Sequence, residues 1–169
     1  MFFIAGMPRC RTKWFSEYLS AYDGITCHHE ALNGPLSKQE FYDVMEQDGN
    51  IGNSDSGLFI TDFQQRWPSA PTVVLLRDPV EAAESVSRLL GHMPSLGLLE
   101  AQFKAATQLQ GLHVWFEDIN DRIEEIHDYL GIPFDAKLYE KYTIENIQLD
   151  ELKVCLDSYR LWLNFDEVA

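Results

Sequence analysis

Residues 1–19, MFFIAGMPRCRTKWFSEYL, decide the fold. Phe2, Phe3, Ile4 and Ala5 form an apolar run long enough for a buried strand. Trp14, Phe15, Tyr18 and Leu19 recur with the spacing of one helix face. Between them lies a short polar loop, Gly6 to Lys13. The order strand, loop, helix aims unpaired backbone N–H groups and the positive end of a helix dipole at whatever the loop holds. Phosphate suits such a place. Arg9, Arg11 and Lys13 add three cations within five residues, and no acid precedes Glu17. The pattern predicts an anion site; a solvated basic turn between two core elements is the plainer alternative.

Working outward, the chain of 169 residues carries 27 acids against 13 bases, a formal net charge of −14. That excess argues against a nucleic-acid partner, which needs a basic face, and against polyanionic polymer substrates. An anionic cofactor fits only where the few cations converge. Hydrophobic content of 46% and aromatic content of 12% indicate a folded globule, and the length suits one domain over residues 1–169. Cys10, Cys27 and Cys155 form an odd set without metal-ligand spacing, which suits a reducing cytosol better than a disulfide scaffold. No apolar run reaches a membrane-spanning length of ~18 residues. The first residues lack a basic n-region, so no signal peptide is expected and a cytoplasmic location is.

Beyond the first helix (about Thr12 to Ala21), Asp23-Gly24 marks a turn and Ile25 to His28 reads as a second strand, with His29-Glu30 at its end. Ser37 and Glu40 form a capping box for a helix to about Gln47, with Phe41, Val44 and Met45 inward. Ile51 to Gly57 reads as a polar, glycine-rich stretch, and Leu58-Phe59-Ile60 as a short third strand. In that stretch Asn53-Ser54-Asp55-Ser56 is either a substrate or adenosine loop or a plain turn. Thr72 to Leu76 is β-branched and uninterrupted, the pattern of a central parallel strand. Asp78 then caps a helix with Pro79 at its first position, and Gly91 ends it. Leu96 to Leu109 reads as a helix and His113 to Phe116 as the last strand. A helix with Ile119, Ile123, Ile126 and Leu130 on one stripe follows, and the remainder to about Phe165 reads as helical, with Leu152, Cys155, Leu156, Tyr159 and Trp162 on a buried face. Alternating strands and helices predict a three-layer α/β/α fold around a central, mainly parallel sheet of about five strands. Ligands bind such sheets beyond the strands' C-terminal ends, where Arg9, His29, Ser54 and Arg77 would meet.

The loop lacks the Gly-Lys of a Walker A motif, having Arg11-Thr12 there. Pro8-Arg9-Cys10-Arg11-Thr12-Lys13-Trp14 instead resembles the 5′-phosphosulfate loop of sulfotransferases, roughly P-[KR]-S-G-T-[TS]-W/L. Pro8, Arg9, Thr12 and Trp14 match; Cys10 replaces Ser, Arg11 replaces Gly, and Lys13 replaces the second hydroxyl residue. Arg77-Asp78-Pro79 with Ser85 eight residues after Arg77 resembles the pair with which these enzymes hold a 3′-phosphate. Trp115 to Ile119 and Tyr129 to Phe134 are similar to the family's Y-E-D-L and L-G-[LI]-P runs and serve as fold markers. Together the three blocks span roughly Met1 to Phe134, most of the chain, in the family's order. The late Gly- and Lys/Arg-rich loop of cytosolic members is not recognisable.

The resemblance implies a P-loop NTPase-like fold and sulfuryl transfer from 3′-phosphoadenosine 5′-phosphosulfate (PAPS; product PAP) to a small-molecule hydroxyl or amine. It implies a cofactor site from Pro8, Arg9, Cys10, Arg11, Thr12, Lys13, Trp14, Arg77 and Ser85, with Arg9 taking the catalytic role of the loop Lys. At the end of strand two it implies a base, Glu30 first and His29 second, with His28 adjacent. A metal site is not expected there, because neighbouring strand residues point to opposite faces. Two other readings remain: a P-loop nucleotide kinase or NTPase, and a non-catalytic nucleotide-binding relative. Acceptor and oligomeric state stay open.

Overall fold

The computed structural model describes residues 1–32, 38–91 and 93–144. Ser37 of the predicted capping box and the predicted buried face from Leu152 to Trp162 lie outside those residues. Among the described residues five parallel strands form one sheet in the order β2-β3-β1-β4-β5. They are β1 (Phe2–Gly6), β2 (Ile25–His29), β3 (Asn50–Asp55), β4 (Thr72–Leu76) and β5 (Leu112–Trp115). The helices are α1 (Thr12–Ser20), α2 (Lys38–Met45), α3 (Phe63–Arg66), α4 (Pro79–Leu90), α5 (Leu96–Ala106), α6 (Ile123–Leu130) and α7 (Ala136–Ile144).

Strand alternation sorts the core into two sides. Phe2, Ile4, Val73, Leu75 and Val114 pack with Phe15, Tyr18 and Leu19 of α1, Ala82 and Ala83 of α4, and Ile123 and Ile126 of α6. Phe3, Ala5 and Ile51 face Phe41, Tyr42 and Met45 of α2 and Phe63 of α3, while Val74 and Leu76 face Ala106 of α5. Helices therefore cover both faces, as an all-parallel sheet requires. In α2, Phe41 and Met45 point inward as expected, and Val44 is half-buried.

The third strand is the correction. Leu58-Phe59-Ile60 is a turn of 3₁₀ helix, and the strand is the polar segment Asn50–Asp55. It pairs with β1 on one side and β2 on the other. Gly52 permits this, because a Cβ there would lie 2.1–2.7 Å from ring atoms of Phe2. Asn53, Ser54 and Asp55 are fully buried in spite of their polarity. The segment is thus a strand end carrying polar groups, and neither the loop nor the plain turn of the sequence reading.

Candidate functional site

The strand termini bring Arg9, Glu30, Ser56, Arg77 and Phe116 to one sheet edge. From β1 the chain goes on to β2 on one flank of the sheet and from β4 to β5 on the other, so the strand order reverses between β1 and β4 and a crevice opens at their ends. Met7 N–H still bonds Leu75 O at 3.2 Å, and Cys10 N–H turns back to Met7 O at 3.2 Å. Arg11 is the N-cap of α1 and makes no side-chain cap, and the first turn of α1 contains no acid. The dipole's positive end therefore faces the crevice with no acid from the helix's own first turn in front of it. Among the described residues three non-glycines have positive φ: Arg9 at 67°, Arg11 at 64° and Glu30 at 48°. All three stand at this edge, and such strain concentrates where function demands it.

Arg9 Nε lies 3.3 Å from Ser85 Oγ of α4. Arg77 follows β4; its Nη1 donates to Arg9 O at 2.9 Å and its guanidinium stacks 4.0 Å from the Phe116 centroid. Arg77 Nε is buried without a hydrogen-bond partner, and the nearest carboxylate, Glu81, is 3.8 Å away. The structure thus joins Arg9, Arg77 and Ser85, which lie far apart in sequence. Asp78, next to Arg77, caps α4 by accepting from Val80 N–H and Glu81 N–H.

Arg11 donates to Asn120 Oδ1 at 2.7 Å and lies 5.3 Å from the Phe116 centroid. Its partners are neutral. Burial, with Arg77 nearby, lowers its pKa. Asn120 gave no sequence signal; Phe116 sat in a block read only as a fold marker.

The other end of the crevice contains Thr12, Lys13, His29 and Glu30. Thr12 Oγ1 donates to Glu30 Oε1 at 3.3 Å and lies 3.3 Å from His29 Nε2. With the Thr12 proton given to Glu30, Nε2–H of His29 donates to Thr12, and the neutral ring's lone pair sits on Nδ1. Burial, with Lys13 nearby, pushes the His29 pKa down to about 4, so the ring is neutral at pH 7. Lys13 also contacts Glu17 at 3.6 Å. Ser54 Oγ holds Thr12 O at 2.7 Å, and Ser56 clamps Glu30 through its N–H and hydroxyl at 2.9 and 3.1 Å.

Pro8 is half-buried in the loop. Two predicted contacts turn inward. The Cys10 thiol is fully buried, and burial pushes its pKa up to about 12. Trp14 stacks on Tyr18 at 4.6 Å and donates Nε1–H to Tyr142 O, which commits its ring to packing under α7. Among the described residues no group of three or more His, Cys, Asp or Glu side chains is arranged to hold a metal ion, and no helix is long and apolar enough to cross a membrane.

No protein-family model matches the sequence, and no curated protein matches it. Solved structures do. A mouse sulfotransferase complexed with PAP superposes with TM-score 0.57 at 13% identity, over 83% of this chain and 61% of its own. The chain therefore spans less than two thirds of that protein's length. The sulfotransferase domain from the curacin biosynthetic pathway gives 0.56 at 15% identity, over 82% of this chain and 76% of its own. A gluconokinase from Sinorhizobium meliloti gives 0.54 at 14%, over 77% of this chain and 91% of its own. The chain has the P-loop-like α/β fold these proteins share; at such identities the likeness establishes the fold.

Proposed function

We propose that the protein is a sulfotransferase that takes PAPS and moves its sulfuryl group to a hydroxyl or amine of a small-molecule acceptor. The observation that carries this reading is the junction of Arg9, Arg77 and Ser85 beside the acid-free N-terminus of α1. A phosphate there would satisfy the buried Arg77 Nε, which has no hydrogen-bond partner, so the residues present fit an anionic nucleotide.

PAPS, when bound, supplies the activated sulfuryl group. Arg77 and Ser85 would hold its 3′-phosphate, and the amides opening α1, from Thr12 to Trp14, would face its 5′ end. Arg9 and Lys13 supply fixed positive charge where negative charge develops on the leaving group. His29, neutral and next to Lys13, would take the acceptor's proton on Nδ1. Glu30 spends its oxygens on Thr12 and Ser56, which suits it to orient His29. The setting we propose is the cytosol, where the free thiols of Cys10 and Cys27 persist.

The gluconokinase likeness is compatible with a second reading, a P-loop kinase or NTPase. One melting-shift panel separates the two. PAP should raise the melting temperature well above AMP, because only PAP engages Arg77 and Ser85 with a 3′-phosphate. At ~100 times Kd the linkage is about 2.7 kcal/mol. Equal shifts from PAP and AMP would remove the 3′-phosphate assignment, and a magnesium-dependent shift with ATP alone would establish the kinase.

A further inference from the structure

Behind His29 stands a pair of carboxyl groups that the scheme above leaves half used. Asp55, the last residue of β3, is fully buried. Its Oδ1 accepts Gly57 N–H at 2.6 Å, and its Oδ2 accepts Leu32 N–H at 3.2 Å and Asn53 Nδ2–H at 3.5 Å. It also hydrogen-bonds the Glu30 side chain. Glu30 Oε1 already accepts the Thr12 hydroxyl and Ser56 N–H, and Oε2 accepts the Ser56 hydroxyl. An ionised carboxylate only accepts, so two of them cannot bond each other. One proton has to lie between them, as in any close carboxyl pair in a place of low polarity.

The surroundings say what that proton does. Glu30 is held at φ 48°, a region that a glutamate rarely occupies. Its backbone N–H is tied to Ser54 O at 3.0 Å, and its side chain is tied to β3 and to the turn after it. The groups facing the pair are Thr12 from α1, with Lys13 beyond it; His29 from β2, whose Nε2 is 3.8 Å from Glu30 Oε1; Asn53 and Ser54 from β3; and Ser56 from the turn. Loss of the shared proton would set two carboxylates against each other and release the strained residue that holds Thr12 and His29.

We propose that Asp55 is a positioning residue that shares one proton with Glu30, fixing Glu30 so that it holds Thr12 and His29 in register with the phosphosulfate loop. The positioning role rests on the sulfotransferase reading above; the shared proton does not. Burial raises the Asp55 pKa, while its hydrogen bonds to Gly57, Leu32, Asn53 and Glu30 work the other way.

Glu30→Gln tests this in the full chain. Its Oε1 keeps Thr12 and Ser56 N–H. Its NH₂ takes the place of Oε2 and donates to an ionised Asp55, while the Ser56 hydroxyl turns to accept. The variant thus replaces a titrating proton with a permanent one. Carboxyl-carbon NMR titration from about pH 4 to about pH 10 should show the wild-type pair losing its last proton at least about one pH unit above Asp55 in the variant. A raised folded-state pKa gives stability that is present at low pH and lost as pH rises through it. The wild-type melting temperature should therefore fall relative to Glu30→Gln over that window. Both wild-type carboxyls ionised by about pH 6, or parallel melting curves, would overturn the shared proton. In turnover assays the wild type should show an alkaline limb that Glu30→Gln lacks; identical pH profiles beside distinct titrations would overturn the positioning role. Failure of PAP to shift the melting temperature would sink the sulfotransferase reading instead, and the titration would still decide the pair.

Discussion

Arg11 allows backbone strain to be separated from side-chain chemistry. It caps α1 at φ 64°, ψ 26°, the left-handed region, where sulfotransferase loops carry Gly. Arg11→Ala and Arg11→Gly both remove the hydrogen bond to Asn120 and the stacking on Phe116. Those contacts amount to about 1 kcal/mol and about 0.5–1 kcal/mol, and they cancel in the comparison. What remains is the left-handed cost for a residue with a Cβ, about 1–2 kcal/mol. Against it stands the greater unfolded-state freedom of Gly, about 0.5–1 kcal/mol. Gly should therefore exceed Ala by about 0.75 kcal/mol, the middle of a range of about 0–1.5 kcal/mol, and for a chain of this size each kcal/mol is roughly 2–4 °C. Thermal melts by circular dichroism, backed by urea titrations with equal slopes, resolve that difference. In an ordinary helix Gly would be the worse of the two by about 1 kcal/mol. An Ala variant that melts at or above the Gly variant would refute strain at Arg11, and with it the view that the loop accepts a penalty to place a guanidinium beside Arg77.

Gly52→Ala should destabilise by about 3 kcal/mol or more, or prevent soluble expression, because the new methyl meets the Phe2 ring across β1 and β3; a variant with near-wild-type urea stability would contradict the close approach. His127 donates Nδ1–H to Ile132 O at 3.1 Å, its Nε2 lies 2.9 Å from Tyr18 Oη, and burial lowers its pKa. Stability should hence drop as pH falls below about 6.5, where the unfolded histidine protonates first, and a His127→Gln variant should lose that slope in melts taken across pH. Arg77→Ala should raise the Kd for PAP, measured by calorimetry, far more than that for AMP, while Lys13→Ala should lower kcat more than it raises KM; the opposite split would exchange the two ends of the cofactor.

Much of this architecture was legible because local chemistry and tertiary packing agree. Thr72–Leu76 is a strand as read, and Asp78, Pro79 and Gly91 cap α4 as their residue types require. The loop's place between β1 and α1 followed from the change of hydrophobic period at Gly6. The third strand was not legible. Asn50–Asp55 has the composition of a turn, and the apolar triplet after it looked the better strand. Two facts invisible in the sequence override that preference: a Phe2 ring that only Gly52 can accommodate, and polar side chains buried because they hold the site. Ser54 anchors Thr12, and Asp55 anchors Glu30. A strand with a good β pattern could supply neither. The inward turn of Trp14 was hidden for a related reason, since its partners on α7 are more than a hundred residues away.

The same polar strand end bears on the choice between sulfuryl and phosphoryl transfer. A kinase built on this fold needs a hydroxyl at the start of the loop helix and a free acid to hold magnesium. Here the position after Thr12 is Lys13, a cation that would repel a metal, and the Thr12 hydroxyl is committed to Glu30. The acids beside Thr12, Glu30 and Asp55, are bonded to each other and to backbone N–H groups. They are arranged to keep a proton, whereas magnesium ligands must give theirs up. Arg9, Arg11, Lys13 and Arg77 gather positive charge at this edge, and the Arg11 guanidinium has the neutral partners Asn120 and Phe116. A sulfuryl group carries less negative charge than a phosphoryl group, so fixed cations and helix amides suffice for it. The electrostatics of the crevice, more than the outline of the fold, favour sulfuryl transfer.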